Sequence, residues 1–182
     1  MTSAQLWQSE VSRVLEALLT EQPAARVAIF GVGNELAGDD AAGGLVIRRL
    51  LQLTKPSDCL MILDGGHAPE SFIGKLEAFA PDLVLIVDAT DLKAVPGTIS
   101  LLDMSRVKGN LPSTHTLSLT VLTHYLQQAV ACQVYLLGIQ PRSVAFDTPL
   151  SPVVSEAVET VTHFLSHEAN LKMMTAPEID AC

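Results

Sequence analysis

The chain has 182 residues, a net charge of −9 and a mean hydropathy of +0.34, and 48% of its residues are hydrophobic. This length and hydrophobic content predict one folded domain with a sizeable core and exclude a disordered chain. The acidic charge disfavours binding to nucleic acid or to an anionic membrane at long range, and it is compatible with a protein, metal or peptide partner.

The N-terminal segment, residues 1–22, has apolar residues at three- and four-residue spacing, which predicts an amphipathic helix. Residues 26–30 form a short, nearly continuous apolar run, as in a buried parallel strand. A Gly-Val-Gly-Asn turn follows. A second helix is then predicted to open at Asp39 and Asp40 and to reach about residue 53.

The alternation of strands and helices continues to the end of the chain. Further strands are predicted at 59–63, 82–87, 98–102 and 133–139, and further helices at 70–79, 113–129 and 152–167. This order predicts a single α/β domain over residues 1–168, in which helices cover both faces of a mostly parallel sheet. Residues 169–182 show no clear period, and we expect a flexible tail there.

The cysteine content and the first residues bear on the compartment. The three cysteines are Cys59, Cys132 and Cys182, an odd number without C-x-x-C spacing, which argues against a disulfide framework or a structural zinc site. Free thiols suit a reducing cytoplasm. Because no signal-peptide pattern and no bilayer-length apolar stretch are found, we expect a cytoplasmic protein without membrane insertion.

Ligands of open parallel sheets bind beyond the carboxyl ends of the strands, and acidic or histidine residues are predicted at that edge. Asp40, Asp64 and His115 form the sharpest combination. Two carboxylates and one imidazole suit a divalent transition metal, and three ligands leave positions open for water or substrate. A metal near a peptide carbonyl provides a route to hydrolysis.

Each of these residues also has a structural interpretation. Asp39 or Asp40 can cap a helix, Asp64 can be a turn residue before two glycines, and His115 can be an ordinary residue of a first helical turn. The other histidines are interpreted as exposed or satisfied residues: His67, His124, His163 and His167.

Two other chemistries are disfavoured. The glycine-rich first loop departs from a dinucleotide fingerprint, because Leu36 stands at the third glycine position. Asp39 and Asp40 place negative charge where a phosphate needs positive potential. A serine or cysteine nucleophile is poorly supported, since there is no Gly-x-Ser-x-Gly elbow and no cysteine beside a histidine in a suggestive loop.

Five segments, in chain order, resemble those of the hydrogenase maturation proteases, and the likeness spans about residues 26–165. Those that contain Asp64 and Gly138 look most like the branch that serves formate-hydrogenlyase-type hydrogenase 3. Ala41 stands where relatives often have glycine, and the N-terminal helix is extra to the family core. The segments are Gly31-Val32-Gly33-Asn34 through Asp39-Asp40, Asp64-Gly65-Gly66-His67-Ala68-Pro69-Glu70, Val87-Asp88-Ala89, Ser113-Thr114-His115 and Gly138-Ile139-Gln140-Pro141.

The resemblance implies a three-layer α/β/α fold with a twisted, mostly parallel five-stranded sheet, of the phosphorylase/hydrolase-like kind. It also implies an endopeptidase that removes a C-terminal peptide from the [NiFe]-hydrogenase large subunit precursor after nickel insertion. Asp40, Asp64 and His115 match the family's metal-contacting positions, and they are the expected catalytic residues. The nickel is then expected to arrive with the precursor.

Four further residues are expected to assist at the substrate. Gly65 and Gly66 let the backbone approach the substrate chain, and Asp39 and Asp88 are reserves for activating the water. Two alternatives stay open at this point. One is a metallohydrolase with a resident metal and a small substrate, and the other is a non-proteolytic nickel-handling chaperone.

Overall fold

The computed structural model describes residues 3–107 and 116–172. No helix in these two ranges is long and apolar enough to cross a membrane. The elements are α1 (Ser3–Glu21), β1 (Val27–Gly31), α2 (Ala42–Leu53), β2 (Leu60–Asp64), α3 (Ile73–Phe79), β3 (Leu83–Ala89), β4 (Ile99–Asp103), α4 (Thr116–Tyr125), β5 (Gln133–Ile139) and α5 (Pro152–Lys172). A 3-10 turn precedes each of α2 and α3, at Gly38–Ala41 and Pro69–Phe72, and a π-helical turn at Leu126–Val130 extends α4.

The five strands form one sheet in the order β2-β1-β3-β5-β4. The pairs β1–β2, β1–β3 and β3–β5 are parallel, and the edge strand β4 runs antiparallel to β5. The predicted α/β fold with a mostly parallel five-stranded sheet is confirmed. The predicted strands match the observed ones to within two residues at each end.

Alternate strand residues point to opposite faces, and each face has its own apolar core. Val27 and Ile29 of β1 contribute to a core shared with α1, α2 and α5. Ala28 and Phe30, which alternate with Val27 and Ile29 along β1, contribute to a second core shared with α3 and α4. Helices therefore cover both sides of the sheet, which gives the predicted three layers.

The first and last helices pack against each other. Trp7 of α1 is 2% exposed and meets Phe164 of α5 edge to face, with ring centroids 4.9 Å apart. Lys172 Nζ lies 3.0 Å from Glu16 Oε1 and 2.6 Å from Glu168 Oε2. Burial alone would lower the pKa of Lys172, but its hydrogen bonds to Glu168 and Glu16 raise it above its ordinary value.

Helix α5 continues past residue 168, where the tail was predicted to start. Helix α5 continues to Lys172, five residues past His167, and Ala169 is 3% exposed. The long-range pair with Glu16 and the burial of Ala169 extend the helix. The remainder of that predicted tail, residues 173–182, lies outside the described residues.

Helix α2 sits directly on the ends of the central strands, and this contact positions the site. A Cβ on Gly43 would lie 2.2 Å from the carbonyl oxygens of both Val32 and Val87, so glycine is needed for this approach. The chain leaves β1 for β2 on one side and later adds β3 on the other. The point between β1 and β3 is thus the topological switch point, where ligands of such sheets bind.

Candidate active site

Asp40 lies at the switch point, in the loop between β1 and α2 (residues 32–41). Its side chain is 4% exposed, and its Oδ2 accepts a hydrogen bond from the backbone N–H of Asn34 at 3.0 Å. The residue before α2 is Ala41, and neither it nor Ala37 makes a side-chain cap. Neither Asp39 nor Asp40 is therefore the N-cap of α2, although Asp40 still benefits from the positive end of that helix.

Asp64 is the last residue of β2, at the same edge of the sheet. Its side chain is 32% exposed, so solvent reaches it. Oδ1 accepts a hydrogen bond from Gly66 N–H at 3.1 Å, as expected of a turn residue. Oδ2 lies 3.2 Å from Nη1 of Arg48, which projects from α2 and also pairs with Glu35. Asp64 thus combines a turn bond with an ion pair.

The two glycines after Asp64 have different surroundings. A Cβ on Gly65 would lie 2.4 Å from the ring of Phe30, so this position is filled by the core. Gly66 has φ of +54° and nothing within 4 Å of an added Cβ. Gly66 carbonyl also accepts a hydrogen bond from Gly33 N–H at 2.9 Å, which joins this turn to the β1–α2 loop. Only the Gly66 side of the pair faces open space.

Asp39 holds a second loop in place. Its side chain is 1% exposed, and it accepts four hydrogen bonds from the β5–α5 loop (residues 140–151). Oδ2 accepts from Arg142 N–H at 2.7 Å, from Ser143 N–H at 3.2 Å and from Ser151 Oγ at 2.9 Å. Oδ1 accepts from Ser151 N–H at 2.6 Å. Direct contact of Asp39 with a substrate would require this loop to move.

The remaining residues considered from the sequence fall in three groups. Asp88 is 0% exposed and is the penultimate residue of β3, beside Gly138 of β5. The four histidines interpreted as exposed or satisfied are all exposed: His67, His124, His163 and His167. His115, with Ser113 and Thr114 before it, lies outside the described residues. Within residues 3–107 and 116–172, no group of three or more His, Cys, Asp or Glu is arranged to hold a metal.

Two apolar side chains stand at the rim of the site. Leu36 of the β1–α2 loop is 62% exposed and Phe146 of the β5–α5 loop is 68% exposed. The loops meet beside them, because Asp147 N–H donates to the Leu36 carbonyl at 2.7 Å. Leu36 and Phe146 therefore form an apolar part of a rim that also carries the charged side chain of Glu35.

The sequence prediction missed Arg48, Glu35 and the tie between Asp39 and the β5–α5 loop. Arg48 lies on the predicted helix that follows the acidic first loop, and a cation so close to an acidic edge is a weak signal for an ion pair. The partners of Asp39 are mostly backbone amides more than 100 residues away, and backbone amides leave no mark in a sequence.

Comparisons with known proteins agree on one group. A family model described as Hydrogenase maturation protease matches residues 44–168. The Hydrogenase 3 maturation protease of Escherichia coli (strain K12) is 37% identical over 131 residues, which are 71% of this chain and 82% of that protein. A putative hydrogenase maturation protease of Methanocaldococcus jannaschii is 30% identical over 135 residues, 71% of this chain and 79% of that protein.

Solved structures give the same result. The crystal structure of a [NiFe] hydrogenase maturation protease HycI from Thermococcus kodakarensis KOD1 matches with a TM-score of 0.76 and 34% identity, covering 86% of this chain and 99% of that one. The hydrogenase maturating endopeptidase HybD from E. coli matches with a TM-score of 0.68 and 28% identity, covering 80% of this chain and 92% of that one.

Proposed function

We propose that this chain removes a C-terminal peptide from the nickel-loaded large subunit precursor of a [NiFe]-hydrogenase. The chain belongs to the hydrogenase maturation protease family and is an endopeptidase of hydrogenase maturation. The observation that supports the proposal is that Asp64 ends β2 and that Asp40 lies in the loop after the neighbouring parallel strand β1, so both follow the carboxyl ends of strands. Carboxylate oxygens there suit a divalent metal presented by a substrate.

Nickel enters this scheme as part of the substrate. Asp40 and Asp64 offer carboxylate oxygens to it, and His115 is proposed as the third contact on the strength of the sequence motif. The solvent exposure of Asp64 supports this role for Asp64, because a metal carried by a protein reaches its ligand from outside. Asp40 is 4% exposed, so its contact with the nickel requires the β1–α2 loop to uncover it when the precursor docks. Docking of the nickel then brings the scissile peptide bond to the site.

Cleavage needs an activated water and room for the peptide. The attacking water is activated by the nickel or by a carboxylate acting as general base, with Asp88 as a buried reserve. Gly66 offers open space for an extended chain, and the apolar rim at Leu36 and Phe146 supports binding of a peptide. Asp39 is proposed to assist the substrate indirectly, through the loop that it holds.

We also propose a cytoplasmic location. Cys59 and Cys132 are free thiols, which suit a reducing compartment.

The proposal is tested by the intact mass of a large subunit precursor from the same cell, nickel-loaded and nickel-free, before and after incubation with the protein. We expect loss of a C-terminal peptide from the nickel-loaded form alone. Asp64→Asn and His115→Ala are expected to lower the cleavage rate by about a hundredfold or more. His67→Ala is the matched control, because it removes an exposed imidazole near the same edge.

Two results would contradict the proposal. Cleavage of the nickel-free form at the same rate would remove nickel from recognition. An unchanged precursor mass, despite demonstrated binding, would point to a chaperone that does not cleave.

A further inference from the structure

The ion pair on Asp64 has a geometry that bears on metal binding. Arg48 Nη1 lies 3.2 Å from Asp64 Oδ2, and the same nitrogen pairs with Glu35. Gly66 N–H occupies Oδ1 at 3.1 Å. Both oxygens of Asp64 therefore already accept a hydrogen bond in the free protein, and a metal that approaches Oδ2 must compete with a guanidinium.

Gly44 lies beside this pair, one helical turn before Arg48. A Cβ at Gly44 would lie 3.4 Å from Asp64 Oδ1 and 3.6 Å from Arg48 Nη1, which is ordinary van der Waals contact. The guanidinium and the carboxylate therefore meet over the bare backbone of α2. A guanidinium stays protonated at all physiological pH values, so its competition with a metal does not vanish as pH changes.

We propose that Arg48 occupies the Asp64 carboxylate in the free enzyme and keeps free divalent metal ions off it, so that Asp64 engages only nickel delivered inside the precursor. This rests on the proposed function, in which Asp64 contacts that nickel. A free ion must break the pair and approach a positive charge unaided. Nickel in a docked precursor is held close to Asp64, and its high effective concentration offsets the same cost.

Glu35 is the second carboxylate partner of Arg48. It is 67% exposed and already pairs with Arg48, so the guanidinium keeps a carboxylate partner when it leaves Asp64. The Arg48 guanidinium is therefore not left without a partner when Asp64 is released, and the Arg48–Asp64 pair can separate when a substrate docks.

Titration calorimetry with nickel chloride tests the inference on the purified, full-length protein. Removing a half-exposed, competing guanidinium in Arg48→Gln should tighten Ni²⁺ binding by about tenfold. Arg49→Gln is the matched control, since it removes the same charge from the next position of α2, where Arg49 pairs with Glu159 at 3.5 Å. Its affinity for Ni²⁺ should stay within about twofold of wild type. Adding Asp64→Asn to Arg48→Gln should abolish the gain.

Several outcomes overturn the role of Arg48. These are equal affinities for the Arg48→Gln and Arg49→Gln variants, no detectable binding by Arg48→Gln, or a gain that survives Asp64→Asn. If Arg48→Gln does not fold, Arg48→Lys decides: it keeps the charge but loses the fork, and its affinity should lie between wild type and the expected Arg48→Gln value. Wild-type affinity for Arg48→Lys would then overturn the inference.

The precursor mass assay separates the two proposals. If wild-type protein does not cleave the nickel-loaded precursor, the proposed function fails whatever the titrations show. If it does cleave and Arg48→Gln binds Ni²⁺ no more tightly, only the role of Arg48 fails.

Discussion

Replacing Asp39 by asparagine tests whether one buried carboxylate holds the β5–α5 loop. Its Oδ2 accepts three hydrogen bonds and its Oδ1 accepts one. An amide in the same place keeps one acceptor oxygen, and its NH₂ group then faces a donor. If the oxygen stays with Arg142 and Ser143, the NH₂ opposes Ser151 N–H. The variant loses one charge-assisted bond, weakens three others and buries two opposed donors.

The size of the effect follows from those bonds. Hydrogen bonds to charged groups contribute about 1.5–3 kcal/mol each, and the side chain is 1% exposed, so Asp39→Asn should lower the free energy of unfolding by about 3 kcal/mol. In a chain of this length each kcal/mol shifts Tm by about 2–4 °C, which gives a fall of about 6–12 °C.

Thermal unfolding followed by circular dichroism measures the fall in Tm, and amide hydrogen exchange shows where it originates. Faster exchange is expected first at Arg142, Ser143 and Ser151. Asp147→Asn is the control, because Asp147 is exposed on the same loop and its φ of 55° is one that asparagine adopts readily. A Tm for Asp39→Asn as close to wild type as that of the control, with unchanged exchange in the loop, would refute the reasoning.

Two further predictions concern Gly65 and Cys132. Gly65→Ala should lower the free energy of unfolding by about 2 kcal/mol, because its Cβ overlaps the Phe30 ring. Gly66→Asn should change the free energy of unfolding by less than about 1 kcal/mol. Denaturant titration compares the two variants, and equal losses would contradict the role of Phe30 packing. Burial raises the pKa of the Cys132 thiol to about 11. The stability that the protonated thiol contributes is therefore fully present below the pKa of the thiol in the unfolded chain, and it is lost as pH rises through about 11. Between about pH 8 and about pH 10.5, the free energy of unfolding should therefore fall more for wild type than for Cys132→Ala. Parallel pH profiles of the two proteins would contradict this.

The strands were predictable because buried parallel strands are short apolar runs, and residues 82–87 and 133–139 show such runs plainly. The helix starts were less predictable. Helix α2 begins at Ala42 and not at Asp39, because a 3-10 turn intervenes and the Asp39 carboxylate turns towards another loop. The end of α5 was predicted too early because Lys172 is held by a distant residue of α1.

The same limit applies to the candidate site. Asp40 and Asp64 could be assigned to one edge from strand order alone, since each follows a predicted strand. The ion pair between Arg48 and Asp64 depends on how α2 lies over β2, which hydrophobic periodicity does not specify. The difference between Gly65 and Gly66 likewise depends on the neighbouring Phe30 ring.

Asp39 holds the β5–α5 loop mainly by its backbone, so the sequence of the loop can change more freely than its position. Three of the four donors to Asp39 are main-chain amides, at Arg142, Ser143 and Ser151. Every residue except proline has a main-chain N–H, so substitutions other than proline at 142–146 can change the exposed side chains, Phe146 included, without loosening the anchor. The exposed side chains of this loop can therefore differ among relatives at little cost in stability, because its backbone stays bonded to Asp39.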